Sequence, residues 1–192
     1  MRTLADPRFL VRRPVAALLT HWPLALADDA EGIHQTRVAS RRLREWVPVL
    51  APDARVGAAA GVRGGLRNVT RLLGPSRELD VSRVLLDAIA SRTPTHAGAV
   101  SAVRAHVERE RSKASRARRR ASRAVDIDLL AAEVRSSAGP GPAPGFVEAC
   151  AARAAARLDR RARQVRERLV AAGFVYAPGP LHQVRIALKR FR

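Results

Sequence analysis

The stretch Ile33-His34-Gln35-Thr36-Arg37-Val38-Ala39-Ser40-Arg41-Arg42-Leu43-Arg44 returns near the end of the chain as Leu181-His182-Gln183-Val184-Arg185-Ile186-Ala187-Leu188-Lys189-Arg190-Phe191-Arg192. Six of the twelve positions are identical and four more are conservative: Ile/Leu, Val/Ile, Arg/Lys and Leu/Phe. An Arg-rich composition would match arginines by chance. It would not also supply the His-Gln pair and the same aliphatic register.

The spacing predicts a helix with two unlike faces. At about 100° per residue, Arg37, Arg41 and Arg44 lie within about 80° of His34 on one side. Ala39, Leu43, Trp46 and Leu50 fall on the other side and form a packing stripe. The later copy repeats the row as His182, Arg185, Lys189 and Arg192, with Val184, Ala187 and Phe191 behind it. Arg42 and Arg190 sit at the flanks. A solvated face normally mixes acids with bases at i,i+4. Here Glu45 is the one acid beside the first row and the second row has none. Unopposed cations on one stripe repel one another, so an anion lying along them is the natural partner. The shared position of His34 and His182 suggests a shared role, such as hydrogen bonding to a phosphate oxygen.

Outward from these motifs, the chain reads as helices separated by turns. Pro14 to Asp29 is Ala/Leu-rich, with Pro23 expected to kink or break it. Asp28-Asp29 reads as a cap or turn before Gly32. The first motif helix is expected from about Ile33 to Val47, ending near Pro48. A third helix, from about Ala54 to Leu73, is weakened by Gly57, Gly61, Gly64 and Gly65. Gly74-Pro75-Ser76 punctuates, helix resumes from Arg77 to Ser91, and a long Arg-rich helix covers Ala97 to Val125. Residues 136–145, SSAGPGPAPG, are the clearest linker. Phe146 to Ala172 follows as one amphipathic helix with Gly173 as its C-cap. Its stripe of Val147, Ala151, Ala154, Leu158, Ala162, Val165 and Leu169 is expected to be core, with Arg153, Arg157 and Arg160 opposite. A last helix starts near Leu181. No segment alternates with period two, so the fold class is all-α, built from antiparallel helices.

Charge points the same way. The 192 residues carry 36 basic and 17 acidic side chains, a formal charge of +19. All the basic residues but Lys113 and Lys189 are arginine. A GC-rich genome explains Arg in place of Lys, but not a two-to-one excess of base over acid. Such a surface attracts polyanions. Cys150 is the one cysteine, which excludes an internal disulfide and a thiolate metal cluster. A reducing cytoplasm fits. Arg8, Arg12 and Arg13 interrupt the N-terminal apolar residues, so no signal peptide is expected, and no apolar run is long enough to span a membrane.

The paired motifs resemble the hallmark of the CHAD family, the conserved histidine α-helical domain. Arg71-Leu72-Leu73-Gly74-Pro75-Ser76-Arg77-Glu78-Leu79-Asp80-Val81 is similar to a further family segment, with Glu78 in place of its usual first aspartate. The resemblance covers the chain from about Pro14 onward. It implies an internally duplicated fold in which each half is an antiparallel helical bundle beside a basic channel or groove. Residues 1–135 would form a first, four-helix-like half, 136–145 the linker, and 146–192 an incomplete second half. On this basis a truncated second bundle of two helices is expected, with apolar faces near Val184, Leu188 and Phe191 poorly covered. The resemblance also implies binding of inorganic polyphosphate and association with polyphosphate granules. Carried over by motif, the ligands are His34, Arg37, Arg41, Arg44, His182, Arg185, Lys189 and Arg192. Arg42, Arg71, Arg77 and Arg190 are secondary contacts.

Guanidinium groups suit phosphate chains because their planar forks donate two parallel hydrogen bonds. Trp46 and Phe191 are the only aromatics within the basic motifs, and both lie on the apolar side. That argues against the stacking platforms of a single-stranded nucleic-acid groove. Arg116, Arg118, Arg119, Arg120 and Arg123 read equally as a nonspecific nucleic-acid patch or as a second wall of the same groove. Glu108, Glu110 and Lys113 faintly resemble the signature of tunnel triphosphatases, which belongs on a strand, and this stretch reads as helix. There is no phosphate-binding glycine loop, nucleophile elbow or metal-ligand histidine cluster. The expectation is therefore a non-enzymatic polyphosphate binder without cofactor or metal. A nucleic-acid-binding protein and an accessory module of a phosphate-processing enzyme are the alternatives.

Overall fold

The computed structural model describes residues 6–51, 58–138, 144–173 and 177–191. Among these the chain is all-helical, with eight α-helices, one 3-10 turn at Pro94–His96 and no strand. It divides into two compact units, Ala5–Gly141 and Pro142–Arg192. Among the described residues no helix is long and apolar enough to cross a membrane.

The larger unit holds α1 (Phe9–Leu26), α2 (Ala30–Leu50), α3 (Ala58–Leu72), α4 (Gly74–Arg92), α5 (Ala97–Ser122) and α6 (Ile127–Ser137). Helices α1, α2, α3 and α6 pack in a ring around one core, while α4 and α5 pair mainly with each other. The four-helix bundle is thus completed by α6, which the sequence reading left unassigned. Asp126 caps it by accepting from the Leu129 N–H at 2.8 Å. Its buried Ile127, Leu130, Ala131 and Val134 recur at i, i+3, i+4 and i+7. The helix also runs through Ser136 and Ser137, two residues of the expected linker, and residues 139–143 of that linker lie outside the described residues. Gly65 on α3 admits α6, since a Cβ there would stand 2.8 Å from Leu130 Cδ1.

Two proline expectations are narrowed: of a kink or a break at Pro23 the break is absent, and α2 ends at Leu50, two residues past Pro48. Pro23 lies inside α1 and Pro48 inside α2, and neither ends its helix. Each falls in the last turn, where little helix remains to be lost, and packing of the adjacent buried residues (Trp22 and Ala25; Val47 and Val49) holds the turn. The Asp28-Asp29 turn is as expected and does more than cap. Asp29 accepts from the Gly32 N–H at 2.5 Å. Asp28 adopts a positive φ of 73°, a conformation short polar residues tolerate.

From that turn Asp28 ties the α4–α5 pair to the bundle. Arg118 of α5, 1 % exposed, donates to Asp28 Oδ1 at 2.7 Å and to Ser76 Oγ at 2.5 Å. Arg111, seven residues earlier on the same face, donates to Asp80 Oδ1 at 2.9 Å and to the Asp28 carbonyl at 3.1 Å. Burial works against the Asp28 carboxylate, but the Arg118 hydrogen bond and the charges of Arg118 and Arg111 outweigh it and hold the carboxyl below the usual aspartate range. The network is not fully satisfied: Arg118 Nε and Asp80 Oδ2 are buried without partners.

In the smaller unit α7 (Phe146–Ala172) packs against α8 (Pro178–Phe191), and Gly173 is the C-cap of α7. The expected core stripe of α7 is corrected. Only Cys150 and Ala172 are buried, and Leu158 and Leu169 are each 51 % exposed. A 27-residue helix is about 40 Å long and a 14-residue partner about 21 Å, so α8 cannot cover it. On α8 Val184 is buried, contrary to expectation, while Leu188 and Phe191 remain exposed.

Two outcomes are expected. A Cβ on Gly32 would stand 2.6 Å from Leu24 Cβ and 2.8 Å from the Ala25 backbone nitrogen. Gly32→Ala should therefore force α1 and α2 apart and cost about 2 kcal/mol in chemical denaturation. Asp28→Ala leaves Arg118 buried without its counter-charge and should cost about 3 kcal/mol or more at pH 7. Because the folded pKa of Asp28 lies below its unfolded value, its contribution is complete above about pH 4 and lost as pH falls through the folded pKa. The gap between wild type and Asp28→Ala should accordingly narrow as pH falls below about 4 toward the folded pKa.

Candidate polyanion-binding site

The packed face of α2 buries Ile33, Thr36, Ala39, Ser40, Leu43 and Val47, which fixes where its opposite face points. Arg37 and Arg44 are half-buried there and Arg41 is exposed. Arg37 is less free than its sequence position suggests. Its Nη1 donates to the Thr70 carbonyl of α3 at 2.6 Å, satisfying an end-of-helix acceptor. The approach is close enough that a Cβ on Gly74 would meet Arg37 Nη1 at 3.4 Å. The remaining N–H groups of this guanidinium stay available.

Electrostatics shows which arginines the fold gathers. Desolvation lowers the affinity of Arg37 for its proton, Glu78 opposes that, and Arg77 and Arg41 add to it. Arg44 is lowered first by desolvation and then by Arg67, with Arg63 and Arg41 adding and Glu45 opposing. All stay protonated, because guanidinium does not titrate in the physiological range. The set is thus Arg37, Arg41 and Arg44 from α2, Arg63 and Arg67 from α3, and Arg77 from the start of α4. Among the described residues, the side chains of Arg41, Arg44, Arg63, Arg67 and Arg77 make no ion pair or hydrogen bond. Two acids, Glu45 and Glu78, are close enough to register.

Arg63 and Arg67 are the residues the sequence reading missed. The signal was present, since Arg63, Arg67 and Arg71 recur at i, i+4 and i+8 with Val62, Leu66, Val69 and Leu73 buried behind them. The glycines of α3 obscured it. Arg71 itself is exposed and reaches Asn68 Oδ1 at 3.4 Å, a long contact. Arg42 is exposed off the row. His34 is half-buried, and among the described residues its ring makes no hydrogen bond or ion pair.

On α8, His182, Arg185 and Lys189 are exposed on one side, with Val184 buried on the other. Arg192 lies outside the described residues, as does the side chain of Arg190.

The Arg-rich helix α5 divides. Arg116, Arg119, Arg120 and Arg123 are exposed, but Arg118 is buried in the Asp28 and Ser76 network and is unavailable to a ligand. Its partners lie 42 and 90 residues away in sequence, which is why no local pattern revealed it. Glu108, Glu110 and Lys113 lie on this helix. Glu108 pairs with Arg83 at 2.9 Å and Glu110 with Lys113 at 2.7 Å.

A family model described as the CHAD domain matches residues 10–192. No curated protein and no solved structure matches the chain. With the match reaching over nearly every residue, from the first turn of α1 through both His-Gln motifs, the chain belongs to the CHAD family.

Proposed function

We propose that this protein binds inorganic polyphosphate without chemical turnover, using the arginines of α2, α3 and the start of α4, and the row on α8 as a further contact. The observation that carries this reading is the set of unpaired guanidinium groups on α2–α4. Packing holds them against their mutual repulsion, and a linear polyanion would relieve it. Phosphate oxygens suit these planar forks, and the contact needs no base readout or aromatic platform. Membership in the CHAD family supports polyphosphate over other polyanions. By the same reading the protein works in the cytoplasm, at polyphosphate granules, as a binder rather than an enzyme. The exposed Arg116, Arg119 and Arg120 of α5, with Arg123 at its C-cap, favour nucleic acid as the second reading.

Titrating long-chain polyphosphate should give an affinity that falls steeply with salt, by analogy with nucleic-acid counterion release. Arg41→Glu with Arg67→Glu should weaken binding by about 100-fold at low salt and flatten the salt slope. These two residues are chosen because they are exposed, whereas Arg37 also supports the end of α3. The same reversal at Arg119 and Arg120 should change affinity only a few-fold. If the α5 pair proves the more damaging, or if DNA of equal charge displaces polyphosphate at equal salt, the nucleic-acid reading replaces this one.

A further inference from the structure

Helix α4 presents an outward face that nothing in the larger unit covers. Val81, Val84, Leu85 and Ile89 are 50, 69, 59 and 39 % exposed. They leave an apolar strip open along the helix, the kind of surface on which a monomer often carries a partner. The buried and paired side of α4 is the opposite one. Arg83 pairs with Glu108 of α5, and Asp87 with Arg104 of α5. Relative to Leu85 these two residues point about 160° away, to either side.

The outward positions Glu78, Val81, Leu85, Ile89 and Arg92 all lie within about 40° of Leu85 and form a seam whose 3-4-4-3 spacing is symmetric about Leu85. The seam is self-complementary in the antiparallel sense. A two-fold axis through Leu85 sets Val81 against the partner's Ile89, and Glu78 against the partner's Arg92. The same axis repeats each pair, so two ion pairs close the ends of an apolar middle. Among the described residues, neither Glu78 nor Arg92 forms an ion pair within the chain. Charge also selects this face. Helix α4 has three bases (Arg77, Arg83, Arg92) and three acids (Glu78, Asp80, Asp87), so it is neutral in a chain of +19. Two such chains repel overall, and a neutral helix is a face on which salt screening lets them meet.

We propose that the protein forms a two-fold dimer in which α4 pairs antiparallel with α4 of a second copy through Val81, Leu85 and Ile89, closed by Glu78–Arg92 ion pairs. The surface is small against the roughly 800 Å² per partner of a standard interface, so the dimer should be reversible at micromolar concentration. It does not rest on the polyanion reading and is tested without polyanion present, although Glu78 also stands near Arg37 of the basic patch.

Sedimentation equilibrium of the full chain at moderate salt should give a mass that rises with concentration from 20.9 kDa toward twice that value. Leu85→Glu should weaken association at least 100-fold while leaving the helical circular dichroism unchanged, and the melting temperature unchanged at concentrations where both proteins are monomeric, since the side chain is exposed. Glu78→Arg should weaken association about tenfold, and Glu78→Arg with Arg92→Glu should restore it. A wild type that stays at 20.9 kDa at high micromolar concentration would overturn the proposal. So would a dimer untouched by Leu85→Glu, a charge swap that fails to rescue, or a fall in melting temperature for Leu85→Glu in a monomeric wild type, which would place the seam against another part of the same chain.

Discussion

The candidate site rests on apolar packing that overrides electrostatic repulsion. Helix α2 is pinned by Ile33, Ala39, Leu43 and Val47, and α3 by Val62, Leu66 and Val69, all essentially inaccessible to solvent. Each of these side chains larger than alanine is worth about 1.5–3 kcal/mol of burial. Those contacts decide where the helices lie, and the arginines on their other faces must accept the positions that result. Were α2 and α3 free to separate, the same charges would push them apart. The cationic surface is therefore a consequence of the core and not an independent feature of composition.

Arginine serves two opposite purposes in this unit. At the base of the α4–α5 pair, Arg111 and Arg118 are enclosed and neutralised, and they lock that pair to the turn between α1 and α2. On α2 and α3 the same residue type outnumbers the acids near it, and Glu45 and Glu78 oppose it only in part. Arg37 stands between the two, with one N–H committed to Thr70 and Arg41 and Arg77 as charged neighbours. Counting basic residues along the chain cannot separate these uses. What separates them is whether a carboxylate arrives from a distant segment.

This sorts what could be read in advance. The two His-Gln motifs, the Asp29 cap, the Gly173 cap and the helical class were legible because each is encoded within a dozen residues. The inward face of α2 was legible too, since helical period alone assigns Ala39, Leu43 and Leu50 to it. Helix α6 was overlooked although its cap and its Ile127, Leu130, Ala131, Val134 spacing are local; its short, weakly apolar run was overshadowed by the Gly/Pro stretch beside it. Burial of Arg118 was illegible in principle, because Asp28 and Ser76 are distant in sequence. The stripe of α7 was read correctly as apolar but wrongly as core: periodicity gives a face, while coverage depends on the length of the partner.

Stability in the absence of any anion tests the central claim most directly. If packing holds α2 and α3 together against unopposed charge, replacing exposed Arg67 by Gln should stabilise the unliganded protein at low salt by roughly 0.5 kcal/mol. The gain should vanish at high salt as the repulsion is screened. A loss of stability, or a gain indifferent to salt, would mean that Arg67 is already neutralised by a partner and that the cationic patch is not the strained surface described.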